Sequence, residues 1–191
     1  MTTVILFDCF GVLVQSSLEK FYDVYFKDDE EKRQRADRFD QATSRGTISY
    51  QEYVAELSLL ADISARDVSK VLDNTPVNTS LLAFIRDSLA PQYRIGMLSN
   101  AADNWLDELF DADDRALFEH TVLSYQVGFA KPDPQIYKLA AERFSVEPEQ
   151  CLFVDDIARY CDAAHDVGMQ ALQYRNFSQF QQDILAILGA R

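Results

Sequence analysis

The sequence predicts an α/β fold, a doubly wound parallel sheet carrying a small all-helical second domain. Three observations predict it. Short apolar runs without strict alternation are separated by helical patterns, as when helices cover both faces of a sheet. One long region, 15–76, reads as helices only. Carboxylates stand where apolar runs end, and the carboxyl edge of a parallel sheet is where such folds bind ligands.

The elements follow in order. Val4-Ile5-Leu6-Phe7 reads as a buried strand ending at Asp8. Helical patterns then run over 17–26, 30–44, 50–60 and 65–73. Ser49 with Glu52 three residues on is a capping box, and Gly46 is a stop signal between the second and third helices. The later strands are predicted at 94–98, 121–123, 151–154 and 170–174, and the later helices at 80–89, 101–110, 135–144, 158–167 and 179–188. Ser178 reads as the N-cap of the last helix, and the match of Asn176-Phe177-Ser178 to a glycosylation pattern as coincidence. The helical region is thus an insertion after the first strand. The division is a core of 1–14 plus 77–191 and a cap of 15–76, with hinges near 14–16 and 76–78.

The chain has 191 residues, enough for one core domain with an insertion. Eighteen basic side chains against 31 acidic ones give a net charge of −13. That balance argues against a nucleic-acid or acidic-membrane partner, since both need clustered Lys and Arg. An anionic ligand would need a locally positive site inside a negative field. Cys9, Cys151 and Cys161 are odd in number and lack metal-type spacing, so they read as reduced thiols of a cytoplasmic protein. No apolar run is long enough for a signal peptide or a membrane span.

Asp8 ends the first strand, and Asp155 and Asp156 end the fourth. The other reading is that they are helix N-caps following strands, and for Asp8 alone it is equally good. Together they repel, and a hard cation such as Mg²⁺ resolves the repulsion. Ser99-Asn100 follows the second strand and is expected to open a helix, whose free N–H groups would make an anion site; alone, Ser99 is an N-cap. Lys131 precedes the helix at 135 and can neutralise a phosphate or a carboxylate; alone, it is a solvated loop cation. His120 and His165 pair with no Ser or Cys motif, which argues against a nucleophile–histidine triad. Asp111, Asp113 and Asp114 read as a solvated loop.

Four segments in order resemble the motifs of the haloacid dehalogenase-like (HAD) hydrolase superfamily. They are Phe7-Asp8-Cys9-Phe10-Gly11-Val12-Leu13, Leu98-Ser99-Asn100, Lys131-Pro132-Asp133-Pro134 and Phe153-Val154-Asp155-Asp156. The stretch leading to Gly168-Met169 is similar as well, and the helical insertion resembles the small cap of that family. The resemblance implies a Rossmann-like core and a Mg²⁺-dependent phosphatase acting on a small phosphorylated metabolite. It implies Asp8 as the nucleophile that forms an aspartyl-phosphate, with Ser99, Asn100 and Lys131 on the phosphoryl group. Asp8, Asp155, Asp156 and the backbone carbonyl of Phe10 would hold the metal.

The chain departs from the pattern at Phe10, where most phosphatases of the family carry the aspartate that serves as general acid and base. Slow turnover of ordinary phosphomonoesters is the expectation. An aromatic residue there also resembles the metal-free 2-haloacid dehalogenases, but their Ser-Ser-Asn type sequence is absent and the Asp pair is kept. A degenerate, non-catalytic binding protein is the third class. Tyr160 stands about where the family often carries Asn, and its neighbour Arg159 reads as a surface residue of the helix. In the cap, the turn Thr43-Ser44-Arg45-Gly46-Thr47 resembles a specificity loop. Arg45 is the candidate for an anionic substrate, with a solvated helix-end cation as the other reading. Phe21, Tyr22, Tyr25 and Phe26 read as cap core.

Overall fold

The computed structural model describes residues 1–189. Five parallel strands, β1 (Val4–Phe7), β2 (Arg94–Ser99), β3 (His120–Leu123), β4 (Cys151–Asp155) and β5 (Gln170–Gln173), lie in the order β3-β2-β1-β4-β5. The chain winds outward from β1 in one direction through β2 and β3, then returns to its other side for β4 and β5. The strand order therefore reverses between β1 and β4, and the carboxyl edge at such a switch point is where folds of this kind form their ligand crevice.

The insertion holds α1 (Leu18–Tyr25), α2 (Glu30–Ser44), α3 (Tyr50–Ala61) and α4 (Ala65–Leu72). Ser49 and Glu52 close the capping box at the start of α3, and Gly46 adopts a left-handed φ of 69° just past α2. Phe21, Phe26, Leu57 and Val68 are fully buried in the interior of this bundle. Each such side chain contributes about 1.5–3 kcal/mol of burial, so the helices make a core of their own.

Alternate residues of the strands serve opposite faces. Ile5 and Phe7 pack with Leu81 and Ile85 from α5 (Thr79–Phe84) and the π-helical turn after it, and with Phe180 and Ile184. Val4 and Leu6 pack with Ile136, Tyr137 and Ala164 on the other face. Short helices α6 (Leu106–Leu109), α7 (Ala112–Arg115) and α8 (Ser124–Val127) line the connections around β3. The covering helices are completed by α9 (Pro134–Arg143), α10 (Ala158–Asp166) and α11 (Phe177–Gly189).

The two strands of chain linking sheet and bundle run side by side. The Gln15 amide donates to the Pro76 carbonyl (2.9 Å), and the Asn78 amide to the Leu13 carbonyl (2.8 Å). Asn78 also caps α5 and donates from its side chain to the Val12 carbonyl and the Tyr174 hydroxyl.

Three local expectations are corrected. Residues 101–105 are not helical, so no helix begins at Asn100; only α6 forms farther on. The Asn100 side chain is taken by the backbone of Lys131, and the Ala101 amide by Ser124 Oγ, so both commit to distant partners. Asp111 is no solvated-loop residue but the N-cap of α7, and Asp114 pairs with Arg86 at 2.6 Å. The last helix begins two residues earlier than Ser178 predicts, because Asn176 Oδ1 accepts from the Gln179 amide (3.0 Å).

Candidate functional site

The register of β1 on β4 builds the site. Phe7 lies opposite Val154, and the Asp8 amide donates to the Val154 carbonyl at 2.9 Å. Asp8 therefore leaves the edge of β1 beside Asp155, the last residue of β4. A tight turn carries the chain away again: the Cys9 carbonyl accepts from the amides of Val12 and Val14, and the Gly11 amide donates to Val14. Gly11 sits at φ +90°, and a Cβ on it would lie 2.2 Å from the Asp156 carboxylate. The turn thus passes against Asp156, and only glycine fits.

Asp8, Asp155 and Asp156 present carboxylate oxygens all within 4.8 Å of one another. Lys131 reaches between them, its ammonium 2.8 Å from Asp8 Oδ1 and 2.5 Å from Asp155 Oδ2. The lysine and Asp8 are almost wholly buried, and Asp155 completely so. Asp155 is fully used, since its Oδ1 accepts from the Ile157 amide at the start of α10 (2.8 Å). Asp156 is held through its backbone, whose carbonyl accepts from Gln173 Nε2, while its side-chain Oδ1 is buried with no hydrogen-bond partner.

The electrostatics are unbalanced. Three carboxylates face one ammonium. Burial pushes the Asp8 carboxyl up, Asp155 and Asp156 add to the rise, and Lys131 opposes it. Burial and then Asp155 push Asp156 up to about 6. Burial acts to lower the Lys131 pKa, but Asp155 and Asp8 outweigh it and hold the ammonium charged. The donor set is all oxygen and carries excess negative charge and an orphaned buried oxygen. These residues fit a hard divalent cation.

Ser99 is buried at the end of β2, its Oγ 3.3 Å from the Asn100 carbonyl. Asn100 clamps Lys131 by its backbone, accepting from the Lys131 amide at 2.8 Å and donating to its carbonyl at 3.1 Å. Phe10 turns its ring against Trp105 in an edge-on pair with centroids 4.9 Å apart. Arg45 is exposed at the C-cap of α2 and forms no ion pair among the described residues, so it is not brought into the cluster.

Ser124, which no motif marks, and Tyr160, marked only as a departure from the family pattern, join the site to its surroundings. The fully buried Ser124 Oγ takes the Ala101 amide (2.9 Å) and lies 2.5 Å from the Ser44 carbonyl, tying the end of α2 to the sheet domain. Tyr160, in the first turn of α10, packs on the Lys131 ammonium at 4.9 Å from its ring centroid. No pattern in the sequence pairs Ser124 with Ser44.

Asp40 of α2 is half-buried. Burial and then Asp37 push its carboxyl up to about 6, with Arg159 opposing. A carboxyl raised in the folded state supplies stability at low pH that is lost as pH rises through its folded value. Asp40→Asn should therefore be more stable than wild type at pH 7, by of order 1–3 kcal/mol, and equal to it below about pH 4. Thermal melts across that range test this; parallel pH curves for the two proteins would refute it.

A doubly wound parallel sheet with a helical insertion and, at its switch point, a carboxylate–ammonium cluster whose oxygens fit a divalent cation define the class of α/β protein. The profile of the haloacid dehalogenase-like hydrolases matches residues 2–168, and the chain belongs to that family. The D-ribitol-5-phosphate phosphatase of Bacteroides thetaiotaomicron is 24% identical over 209 residues, covering 97% of this chain and 98% of that protein. The bifunctional epoxide hydrolase 2 of Sus scrofa is 31% identical over 97 residues, covering 47% of this chain and 18% of that protein. Against the rat protein of that name the match covers 30% of its length, so the chain spans less than a third of these relatives. The fold matches that of a HAD family enzyme from Bacteroides thetaiotaomicron, determined with magnesium and inorganic phosphate. The TM-score is 0.72 at 24% identity, over 94% of this chain and 99% of that one. Among the described residues, no helix is long and apolar enough to cross a membrane.

Proposed function

We propose that the protein is a Mg²⁺-dependent phosphatase acting on a small phosphorylated metabolite through an aspartyl-phosphate at Asp8. The observation that carries this is the Lys131 ammonium, set between Asp8 and Asp155 in a cluster whose third carboxylate, Asp156, keeps an orphaned buried oxygen. Asp8 would attack phosphorus, forming an Asp8 O–P bond as the P–O bond to the leaving group breaks. Water would then cleave the acyl phosphate. Lys131 keeps the nucleophile oriented and offsets the charge spread over the phosphoryl oxygens, with Ser99 and Asn100 beside it. Asp8, Asp155, Asp156 and the Phe10 carbonyl would hold Mg²⁺, which when bound supplies the remaining positive charge.

The helical region 15–76 serves as the cap, hinged where the two linkers pair, with Arg45 on its specificity turn. Closure over the site would exclude water and favour small substrates. The relatives named as phosphatases of a pentitol phosphate and of glyceraldehyde 3-phosphate support sugar or polyol phosphates as the class.

The test is phosphate release from a panel of metabolites with Mg²⁺ and with chelator. Chelation should lower the rate by at least about 10²-fold. A rate indifferent to chelator would sink the metal-dependent reading. The aromatic Phe10 favours a second reading, metal-free dehalogenation of a 2-haloacid. Chloride release unaffected by chelator would establish it. Phosphate binding without turnover of either substrate class would instead mark a degenerate binding protein.

A further inference from the structure

We propose that Tyr160 is a positioning residue for the Lys131 ammonium, and through it for the phosphoryl group; this rests on the phosphate-binding role of Lys131. A lysine stem of four carbons has many rotamers, and Lys131 must hold one of them. Its backbone is fixed by Asn100. Its ammonium is fixed by two carboxylates and lies against two aromatic rings, Phe153 at 5.2 Å and Tyr160 at 4.9 Å from the centroids. Phe153 belongs to β4 and would sit there as core in any case. Tyr160 is different, because every polar atom of the residue that the fold reaches is tied down. Its hydroxyl accepts from Arg159 Nη2 at 3.2 Å and lies 3.5 Å from Asn100 Nδ2, and its carbonyl accepts from the Tyr137 hydroxyl at 3.0 Å.

A ring placed only to fill the core needs no hydroxyl at the Asn100 amide. Here one residue touches both groups that set the lysine, the ammonium by its π face and the clamp by its oxygen. The Arg159 guanidinium also stacks on the same ring, 5.0 Å from its centroid. That cation, exposed to solvent, helps fix the ring orientation.

The test is the affinity for inorganic phosphate in the presence of Mg²⁺, measured by calorimetry. Tyr160→Leu should weaken binding roughly 10-fold, while Tyr160→Phe, which keeps the π face, should stay within about 3-fold. In a Lys131→Met background, Tyr160→Leu should change binding by less than about 2-fold, because the group it positions is gone. Tyr160→Met replaces the leucine variant should the latter fail to fold. Equal losses with and without Lys131, or unchanged affinity in Tyr160→Leu, would overturn the positioning role alone. Wild-type protein that binds no phosphate with Mg²⁺ would overturn the phosphatase reading beneath it.

Discussion

Asp8→Asn is expected to lower phosphate release by at least about 10³-fold with the fold intact. The substitution keeps the shape and one oxygen able to accept from Lys131, 2.8 Å away in the wild type. It removes the charge and the nucleophilic oxygen pair, and an amide cannot form the acyl phosphate. The same change relieves the crowding of three buried carboxylates around one ammonium. A carboxyl whose pKa is raised by burial destabilises the fold as pH rises, so Asp8→Asn should melt no lower than wild type at pH 7. Loss of activity with retained or increased Tm separates a chemical role from a structural one. Mass spectrometry after acid quench should find a phosphoryl group on Asp8 in the wild type. Retention of activity in the variant would remove Asp8 from the reaction.

The sheet and the carboxylate cluster were legible because both rest on local pattern. A buried parallel strand is a short apolar run wherever it occurs, and its carboxyl end is where a carboxylate acquires meaning. Asp8 and Asp155 became neighbours as soon as β1 and β4 were paired, and the motif order had already placed them in one crevice. What stayed hidden depended on long-range partners. Residues 101–110 have a helical composition, yet Asn100 is drawn to Lys131 and Ala101 to Ser124, and the helix is reduced to α6. The docking of α2 on the sheet domain through Ser44 and Ser124 joins two serines 80 positions apart. Tyr160 was visible only as a departure from a pattern, because its packing on Lys131 joins residues 29 positions apart.

The charge of −13 also changes meaning once the site is built. Three of the acidic residues sit in the crevice, and Lys131 neutralises only part of them. Phosphate binding should therefore depend on the metal, since without it the anion meets an excess of like charge.

Phe10→Asp is expected to raise turnover of phosphomonoesters with poor leaving groups, by up to about 10²–10⁴-fold if the new carboxyl reaches the departing oxygen. Turnover of acyl or aryl phosphates should change far less, because their leaving groups depart without a proton. That contrast is the informative measurement, since a general gain in folded protein would raise both rates together. The structure also sets a cost. The Phe10 ring pairs edge-on with Trp105, and both pack against the main apolar cluster of the sheet. Losing the pair removes about 0.5–1.5 kcal/mol beyond the burial itself, so the variant should melt below wild type. A lower Tm with a rate gain confined to poor leaving groups would mean that the aromatic residue alone withholds the proton. An unchanged ratio between the two substrate classes would mean that the proton already comes from elsewhere, and that Phe10 serves with Trp105 as an apolar wall of the crevice.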